Sequence, residues 1–502
     1  MKKDLVFAGA LVTAVGAGIA LVRSRGNTLA LILLGTSLLV MGNWGWNKAF
    51  REYYSTHSYK REVFRKAMRN FYAPVYGRYD NAIARWDPHR GSYSLATLPF
   101  AIASIAIAAV WYRWARRRPL DGRWGTRSFA VLLSLQLLLI IFFALCEPWP
   151  KRFSLNISGY LEFKKDLPAF TGIGDILRNY VERMPSLEWY GQHYPPGNLI
   201  LLAIERNLGI PGLLKSIVCL LTVLSALPLY ALARELRLDN LATSAAILLF
   251  TASTSVLVYC TINTTSLVLL PGTLCLWMLI RGLRTGSLAA AAILGLSFAF
   301  YLFFSFSASI LGVLMALTTV IAWWRGAVST RNVLRTGVTS LACVFAAIAL
   351  LYVTTRFNLI ACFITAIHGH QTQQGNQGFD DPIRYLLRST GNVLAYLIST
   401  APLAILAISA AWFAWRSRSR EIELSSALFI AAPLTVLIAG FSGLFYVETE
   451  RIWMFLTPFL ALAAGAELSR RSQWEGGAIV HAMFLLVLVI SCAQEIFFMH
   501  YR

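Results

Sequence analysis

The side chains best suited to chemistry lie in one polar stretch, residues 148–196, of an otherwise apolar chain. Glu162 and Asp166 stand four residues apart in it, so a helix would place them on one face, with Lys164 and Lys165 between them. A carboxylate beside ammonium groups suits a general base that acts next to an anionic substrate. A solvated interfacial helix with balanced charges is the alternative, and the residues alone leave both interpretations open.

Three further residues of this stretch are candidate substrate contacts. Asp175, like Asp166, is either a functional carboxylate or a charged residue of a solvated interfacial helix. The turn Tyr194-Pro195-Pro196-Gly197 precedes an apolar segment, and proline favours a helix start because its missing N–H is not needed there. His193, directly before the turn, is either a ligand or proton carrier or a hydrogen-bonded structural residue. We keep His193 and Tyr194 as candidate contacts.

A second candidate lies near the C-terminal end, where Glu450 and Arg451 precede an apolar run. Ionisable residues at the end of a membrane helix cost free energy unless they are paired or functional. The two side chains form either a plain ion pair or a substrate site, in which the guanidinium binds a phosphate with two hydrogen bonds.

A third polar stretch, residues 357–390, is expected to be a flexible, glutamine-rich loop. It contains His368 and His370, but a metal site would need further ligands, and none is evident. No cofactor is therefore expected, and a divalent metal has no support. His368 is kept as a candidate substrate contact.

Composition defines the class of protein. Hydrophobic residues make up 57% of the 502 residues, and charged residues only 14%, against roughly 25% in soluble domains. Apolar runs of about 20 residues recur along the chain without the alternation of a barrel strand, and each is long enough to cross a bilayer. We predict an all-α, polytopic transmembrane bundle of roughly 12–14 helices. Its polar outer loop is expected to carry short interfacial helices. The predicted spans include 212–233, 241–260, 336–355 and 391–415.

The charge pattern predicts which segments share a face of the membrane. The formal charge is +21, but the basic residues cluster at the ends of apolar runs, as in the positive-inside rule, which argues against nucleic acid as a partner. The basic linkers are expected on the cytoplasmic face; they are 113–127, 281–286, 325–335, 416–423 and 468–475. The polar stretches 148–196 and 357–390 and the turn 448–451 then fall together on the opposite face.

With these features the chain resembles the GT-C membrane glycosyltransferases, in particular the dolichyl-phosphate-mannose protein mannosyltransferase and aminoarabinose lipid A transferase group. The resemblance rests on the acidic outer loop, the Tyr194-Pro195-Pro196 helix start and the helix end at 229–236, and it covers roughly residues 128–470. It predicts an N-terminal transmembrane and interfacial extension (1–127), a catalytic module (128–475) with first outer loop 148–196, and a C-terminal transmembrane helix (476–502).

The sequence departs from the family pattern at three places. The family usually carries Asp-Glu directly after the first core helix, where this chain has only Glu147, which is either the base or a helix cap. The usual His-Pro-Pro reads Tyr194-Pro195-Pro196, with His193 displaced by one. The helix-end region near 252–266 has Asn263 and no aspartate.

The resemblance implies transfer of a hexosyl or pentosyl group from a polyprenyl-phosphate donor, with inversion, to a hydroxyl of a glycan, lipid or protein. Asp166, Glu162 or Glu147 would be the general base, and Arg451, Lys164 and Lys165 would stabilise the departing phosphate. The contacts implied for substrate are those named above: His193, Tyr194, Asp175, Glu450 and His368. The apolar bundle would hold the polyprenyl tail, which would enter through a side opening. The implied location is the cell (inner) membrane, with the active site on the extracytoplasmic face.

Two other classes of function fit a polytopic chain. A lipid or polysaccharide transporter or flippase would place carboxylates at the midplane of the membrane, whereas here they concentrate at one face, and no inverted repeat is evident. A polysaccharide polymerase or ligase would use a similar lipid-linked donor. A purely structural role would leave the long polar stretch without a purpose.

Overall fold

In a computed structural model of the chain, the described residues form helices joined by short turns, with no strand among them. The described residues are 28–39, 41–42, 102–103, 106, 110, 126–145, 163–210, 213–257, 264–374, 382–417, 423–443, 452–475 and 478–497. The all-α fold class predicted from the sequence is confirmed. Four of the candidate site residues, Glu147, Glu162, Glu450 and Arg451, lie outside the described residues.

The helices are numbered here in chain order. They are α1 (Thr28–Leu39), α2 (Thr126–Leu145), α3 (Ile173–Arg183), α4 (Trp189–His193), α5 (Gly197–Leu208), α6 (Leu213–Leu224), α7 (Ala226–Glu235), α8 (Asn240–Ala252), α9 (Leu269–Thr285), α10 (Leu288–Phe304), α11 (Ala308–Trp324), α12 (Thr330–Thr355), α13 (Leu359–Gln374), α14 (Pro382–Ser399), α15 (Ala401–Arg416), α16 (Leu424–Phe441), α17 (Thr457–Glu475) and α18 (Ala478–Phe497).

By length and composition, four helices of the described part can cross a membrane: Ser216–Glu235, Ser266–Thr285, Thr330–Thr355 and Leu424–Phe441. Seven shorter apolar helices of 10–17 residues accompany them. The chain is therefore polytopic in character, while the predicted total number of spans includes residues outside the described ranges and stays a prediction.

One predicted span is not a single straight helix. The run 391–415 was expected to be a single helix, but α14 and α15 meet at a bend of 103°. The reason is local: Pro402 lies in the first turn of α15, and proline cannot continue a helix that arrives from the N-terminal side. Thr400, between the two helices, adopts φ −113° and ψ 19°, which is not helical. The pair is either a broken span or a re-entrant segment.

Small residues allow the central helices to pack closely. A Cβ added at Gly465 of α17 would lie 2.5 Å from the carbonyl oxygen of Ala242 in α8, and one added at Gly295 of α10 would overlap the Ser340 carbonyl of α12. Helices in membranes associate through such contacts because lipid provides no hydrophobic driving force between them. These two positions therefore fix the approach of α8 to α17 and of α10 to α12.

The basic linkers lie together, as the charge pattern predicts. Arg284 pairs with Glu235 at 2.7 Å, and the side-chain amide of Asn332 donates to the Leu283 carbonyl at 3.0 Å. Arg325 donates to the Ala414 carbonyl at 3.1 Å. Contacts between the linkers after α7, α9, α11 and α15 therefore join them at one end of the bundle.

A buried charged cluster at the same end joins α15 to α17. Glu467 is 2% exposed and accepts hydrogen bonds from Ser409 (2.7 Å), Arg471 Nε (2.7 Å) and Arg470 Nη2 (2.6 Å). Arg471 is also 2% exposed, and Arg470 lies 3.6 Å from the centre of the Phe413 ring. Sequence reasoning treated these arginines only as markers of orientation.

Replacing Glu467 by glutamine is expected to destabilise the protein by about 3–5 kcal/mol, because the charge of Arg471 would stay buried without its carboxylate. The measurement is thermal unfolding of the purified protein in detergent. Glu423→Gln, at an exposed position at the start of α16, is the matched control and is expected to change little. Equal stability of the two variants would contradict the structural role of the cluster.

Candidate active site

The polar segment 163–197 folds as a cap over one end of the bundle. Two prolines, Pro168 and Pro185, begin short 3-10 turns on either side of α3. Helix α3 buries Ile176 and Tyr180, and Met184, in the 3-10 turn that follows, continues the same four-residue spacing. This spacing explains why a segment with many charges folds onto the membrane bundle.

Asp175 holds the start of this cap together. It accepts hydrogen bonds from the Thr171 backbone N–H (2.9 Å) and the Asn179 side chain (2.5 Å), and Arg183 lies 3.4 Å away. The hydrogen bond from the Thr171 N–H is the main reason why the pKa of the Asp175 carboxyl lies below its usual value. These partners give Asp175 a local structural role, and its contact with a substrate stays a prediction.

Asp166 is the buried carboxylate of the cap. Its side chain is 4% exposed, and Oδ1 accepts a hydrogen bond from the Glu188 backbone N–H at 2.8 Å. Oδ2 has no hydrogen-bond partner among the described residues. It faces Gly191 so closely that a Cβ there would overlap it. The carboxylate is therefore anchored by one oxygen, and the other is buried without a hydrogen bond among the described residues.

The surroundings of Asp166 favour its protonated form. Burial raises the pKa of Asp166 to about 6, and the nearby negative charge of Glu188 adds to the increase. The hydrogen bond from the Glu188 N–H and the positive charge of Lys165 act in the opposite direction. A carboxyl group with a pKa close to neutral pH suits a general base.

The two lysines lie on the outer surface of the cap. Lys164 and Lys165 are exposed, and Lys165 Nζ is 3.5 Å from Glu188 Oε1. An exposed pair of this kind adds little stability. Glu188 was not singled out from the sequence, because only the fold of the cap brings it across 22 residues to Asp166.

His193 and Tyr194 lie in the same cap. His193 Nδ1 is 2.6 Å from the Trp189 carbonyl oxygen, and its ring stacks on Trp189 at 4.0 Å between centroids. Burial lowers the pKa of His193, so its neutral form is favoured. The Tyr194 ring packs edge-on against Phe163, three residues before Asp166. The structure thus places both residues in the cap that contains the carboxylate.

The turn after Tyr194 starts helix α5, as predicted. Pro195, Pro196 and Gly197 are all buried, and a Cβ at Gly197 would lie 2.5 Å from the Phe303 carbonyl oxygen. Asn198 donates to the Phe304 carbonyl at 3.5 Å. The cap is therefore docked on the C-terminal end of α10.

The expectation of a flexible loop at 357–390 is wrong for most of its length. Residues 359–374 form α13, which packs against α3, α4 and the 184–186 turn, because Cys362 and Ala366 give it a buried face. This contact brings the two polar stretches together, whereas the turn 448–451 lies outside the described residues and the shared membrane face stays a prediction. His368 lies exposed on α13, with Nδ1 3.0 Å from the Ile364 carbonyl oxygen, and its role in binding substrate stays a prediction.

An apolar cavity of about 260 Å³ adjoins the cap between α10 and α12. Its lining residues are all apolar; they are Leu296, Ala299, Phe300, Phe303, Ala347, Ile348, Leu351 and Leu359. Leu296 and Phe300 are more than half exposed, so the cavity opens to the lipid-facing side of the bundle. Phe303 and Leu359 connect it to the elements that carry the cap.

Within the described ranges, no three His, Cys, Asp or Glu side chains come together as a metal site would require. The described side chains of the cap that can act on a substrate include the buried Asp166 carboxylate and the two exposed lysine ammonium groups near it. This arrangement can remove a proton from a hydroxyl group near the membrane surface.

The buried carboxylate predicts a particular dependence of stability on pH. The pKa of Asp166 is about 6 in the folded protein against 3.8 for an unperturbed aspartate, so between these values the folded state binds more protons than the unfolded state. The free energy of unfolding therefore falls as pH rises through this range, by on the order of 3 kcal/mol from this group. Asp166→Asn removes this contribution, and thermal unfolding of both proteins across the range should differ in slope. Parallel curves would contradict the assigned pKa.

Comparison with known proteins gives matches at the level of structure. No family model and no curated protein sequence matches this chain. Solved structures that do match include an oligosaccharyltransferase of Archaeoglobus fulgidus in complex with Zn and sulfate, with 17% identity and a TM-score of 0.48. The match covers 74% of this chain and 54% of that one. A structure of the archaeal oligosaccharyltransferase AglB from Archaeoglobus fulgidus, in complex with an inhibitory peptide and a dolichol-phosphate, gives 14% identity and a TM-score of 0.47, over 74% and 56% of the two chains.

The chain thus spans about half the length of the structures it matches.

Proposed function

We propose that this protein transfers a sugar from a polyprenyl-phosphate donor to an acceptor hydroxyl at the membrane surface, with Asp166 as general base. One observation carries the proposal. A carboxylate that is almost fully buried, with one oxygen free of hydrogen bonds among the described residues and a pKa of about 6, lies in a polar cap beside an apolar cavity. A carboxylate that only stabilised the cap would have both oxygens bonded, as Asp175 has.

The proposed step is a single displacement. Asp166 Oδ2 takes the proton of the acceptor hydroxyl, whose oxygen forms a bond to the anomeric carbon of the donor. The bond from that carbon to the phosphate oxygen breaks, and its electron pair leaves with the polyprenyl phosphate. Attack from the face opposite the leaving group inverts the anomeric centre. The transferred group is a hexose or pentose, and the acceptor is a glycan, a lipid or a protein.

Positive charge is needed where the phosphate leaves, because stabilising a developing anion is usually the largest catalytic term. Lys164 and Lys165 are exposed on the cap within two residues of Asp166. Arg451, outside the described residues, is the third candidate. Its neighbour Trp453 is buried against Tyr396. Glu450 is proposed to orient Arg451.

The apolar cavity is the proposed binding site for the first part of the polyprenyl chain. Its lining is entirely apolar and its opening faces lipid, so a chain can enter from the bilayer without crossing water. The cavity adjoins the end of α10 on which the cap is docked, and this supports a position for the reacting phosphate at that junction. We place the site on the extracytoplasmic face of the cell membrane, opposite the basic linkers.

The test is a turnover assay with the purified protein and a panel of polyprenyl-phosphate sugars. Release of polyprenyl phosphate, dependent on an added hydroxyl acceptor, is the expected result. A parallel assay in liposomes measures movement of a labelled lipid-linked sugar between leaflets. Movement without release for every donor would contradict the proposal and favour a flippase.

A further inference from the structure

A buried hydroxyl group contacts segment 187–194, which covers Asp166, in addition to the bond from the Glu188 N–H to Asp166. Oδ2 of Asp166 faces the backbone of Gly191, so a substrate hydroxyl reaches this oxygen only if the segment 187–194 moves. The Tyr180 hydroxyl lies 2.9 Å from both the Gly191 and the Tyr194 carbonyl oxygens and shares its single proton between them. Tyr180 is fully buried, so water does not compete for this hydrogen bond. Tyr180 thus keeps the segment closed.

The ring of Tyr180 belongs to an aromatic row that ends at the apolar cavity. Phe357 meets Tyr180 edge-on, with 6.4 Å between centroids, and meets Phe303 edge-on at 6.0 Å. Phe303 lines the cavity. Phe357 is 1% exposed, and in a close-packed interior it cannot shift without moving its neighbours. The contents of the cavity and the position of Tyr180 are therefore mechanically linked.

We propose that Phe357 and Tyr180 are positioning residues that couple occupancy of the apolar cavity to access to Asp166. The occupant is the isoprenoid chain of the lipid-linked donor, so this inference rests on the proposed function. When the chain fills the cavity, Phe303 and Phe357 shift, the Tyr180 hydroxyl leaves its two carbonyl partners, and segment 187–194 opens. The base is thereby shielded from water until a donor is bound, which limits hydrolysis of the donor.

Two substitutions test the coupling. One removes the link to the cavity, and the other releases the closed segment. Phe357→Leu keeps an apolar side chain but removes both edge-on contacts, so the ratio of kcat for a long-chain donor to kcat for a donor with one isoprene unit should fall about tenfold. Tyr180→Phe keeps the ring and removes the hydroxyl that closes the segment. In this variant, the ratio of kcat for the long-chain donor to kcat for the short donor should also fall, but because kcat for the short donor rises. Hydrolysis of the donor by water should rise as well.

Hydrogen exchange gives a readout that needs no turnover. A long-chain polyprenyl phosphate added alone should accelerate amide exchange in 187–194 of the wild type, but not in Phe357→Leu. In Tyr180→Phe, exchange should be fast without ligand. Phe363→Leu, on α13 just after the turn that carries Phe357, is the matched control; its ring packs against Phe306 at 5.1 Å between centroids, and the variant should respond as the wild type does.

Each result decides between the coupling and its alternatives. If Phe357→Leu raises only KM, the residue merely borders the cavity; if it lowers kcat equally for both donors, its role is only structural. Either outcome would overturn the coupling. The same exchange response to dioleoyl phosphatidic acid would overturn the isoprenoid as occupant. A wild type that shows the exchange response without turnover would contradict the proposed function alone, whereas turnover without the response would contradict the coupling alone.

Discussion

Replacing Asp166 by asparagine is expected to lower kcat by about 10²- to 10⁴-fold, the range that a positioned general base contributes. Asparagine has nearly the same size and keeps an oxygen that can accept from the Glu188 N–H, now 2.8 Å from Oδ1. The cap should therefore stay folded while the proton acceptor is lost. The measurement is release of polyprenyl phosphate at saturating donor and acceptor.

Glu182→Gln is the matched control for this variant. Glu182 is an exposed carboxylate on α3 of the same cap, and its replacement should leave kcat within about twofold of the wild type. Full activity in Asp166→Asn would exclude Asp166 as the base. Glu162 and Glu147 would then be the next carboxylates to test.

Replacing Gly191 by alanine is expected to impair both stability and turnover. The added Cβ would overlap Asp166 Oδ2 and lie 2.7 Å from the Leu187 Cβ, so the segment 187–194 must shift. Overpacking of this kind costs about 1–3 kcal/mol, and displacement of Oδ2 from its position should lower kcat as well. Thermal unfolding in detergent and the release assay measure the two effects.

Gly174→Ala should have the opposite effect on stability. Gly174 is the second residue of α3, and a Cβ there meets no atom within 4 Å. Alanine reduces the conformational entropy of the unfolded chain relative to glycine, so this variant should unfold at the same or a higher temperature. If Gly191→Ala were as stable and active as Gly174→Ala, the close contact between Asp166 and Gly191 would be wrong.

Periodicity and charge were sufficient to predict the broad architecture. Apolar runs predicted the helices, and basic linkers predicted which ends of the bundle lie together, as the Arg284–Glu235 pair and the Asn332–Leu283 bond show. Proline predicted the start of α5 at Gly197. These features are determined by residues close together in the chain or by the membrane, so they can be predicted from a single sequence.

Features that depend on distant contacts were not predictable. Glu188 reaches Asp166 only through the fold of the cap, and Phe357 touches Tyr180 only because α13 packs on α3. Helix α13 itself was expected to be a loop because its sequence is rich in polar glutamines and histidines. The four-residue spacing of Cys362 and Ala366, which form its buried face, was not recognised. Asp166 was selected from the sequence for its basic neighbours, whereas its burial and its unbonded oxygen came from the structure.

The central claim is that Asp166 acts as the base in glycosyl transfer, and the pH dependence of kcat/KM tests it most directly, since this quantity reports ionisations of the free enzyme. A base must be deprotonated, so kcat/KM for release of polyprenyl phosphate should rise with pH and level off above about 6, the pKa of Asp166. In Asp166→Asn the residual activity should lose this rise. A wild-type profile that is flat between pH 5 and 7, or a rise that persists unchanged in Asp166→Asn, would contradict the claim.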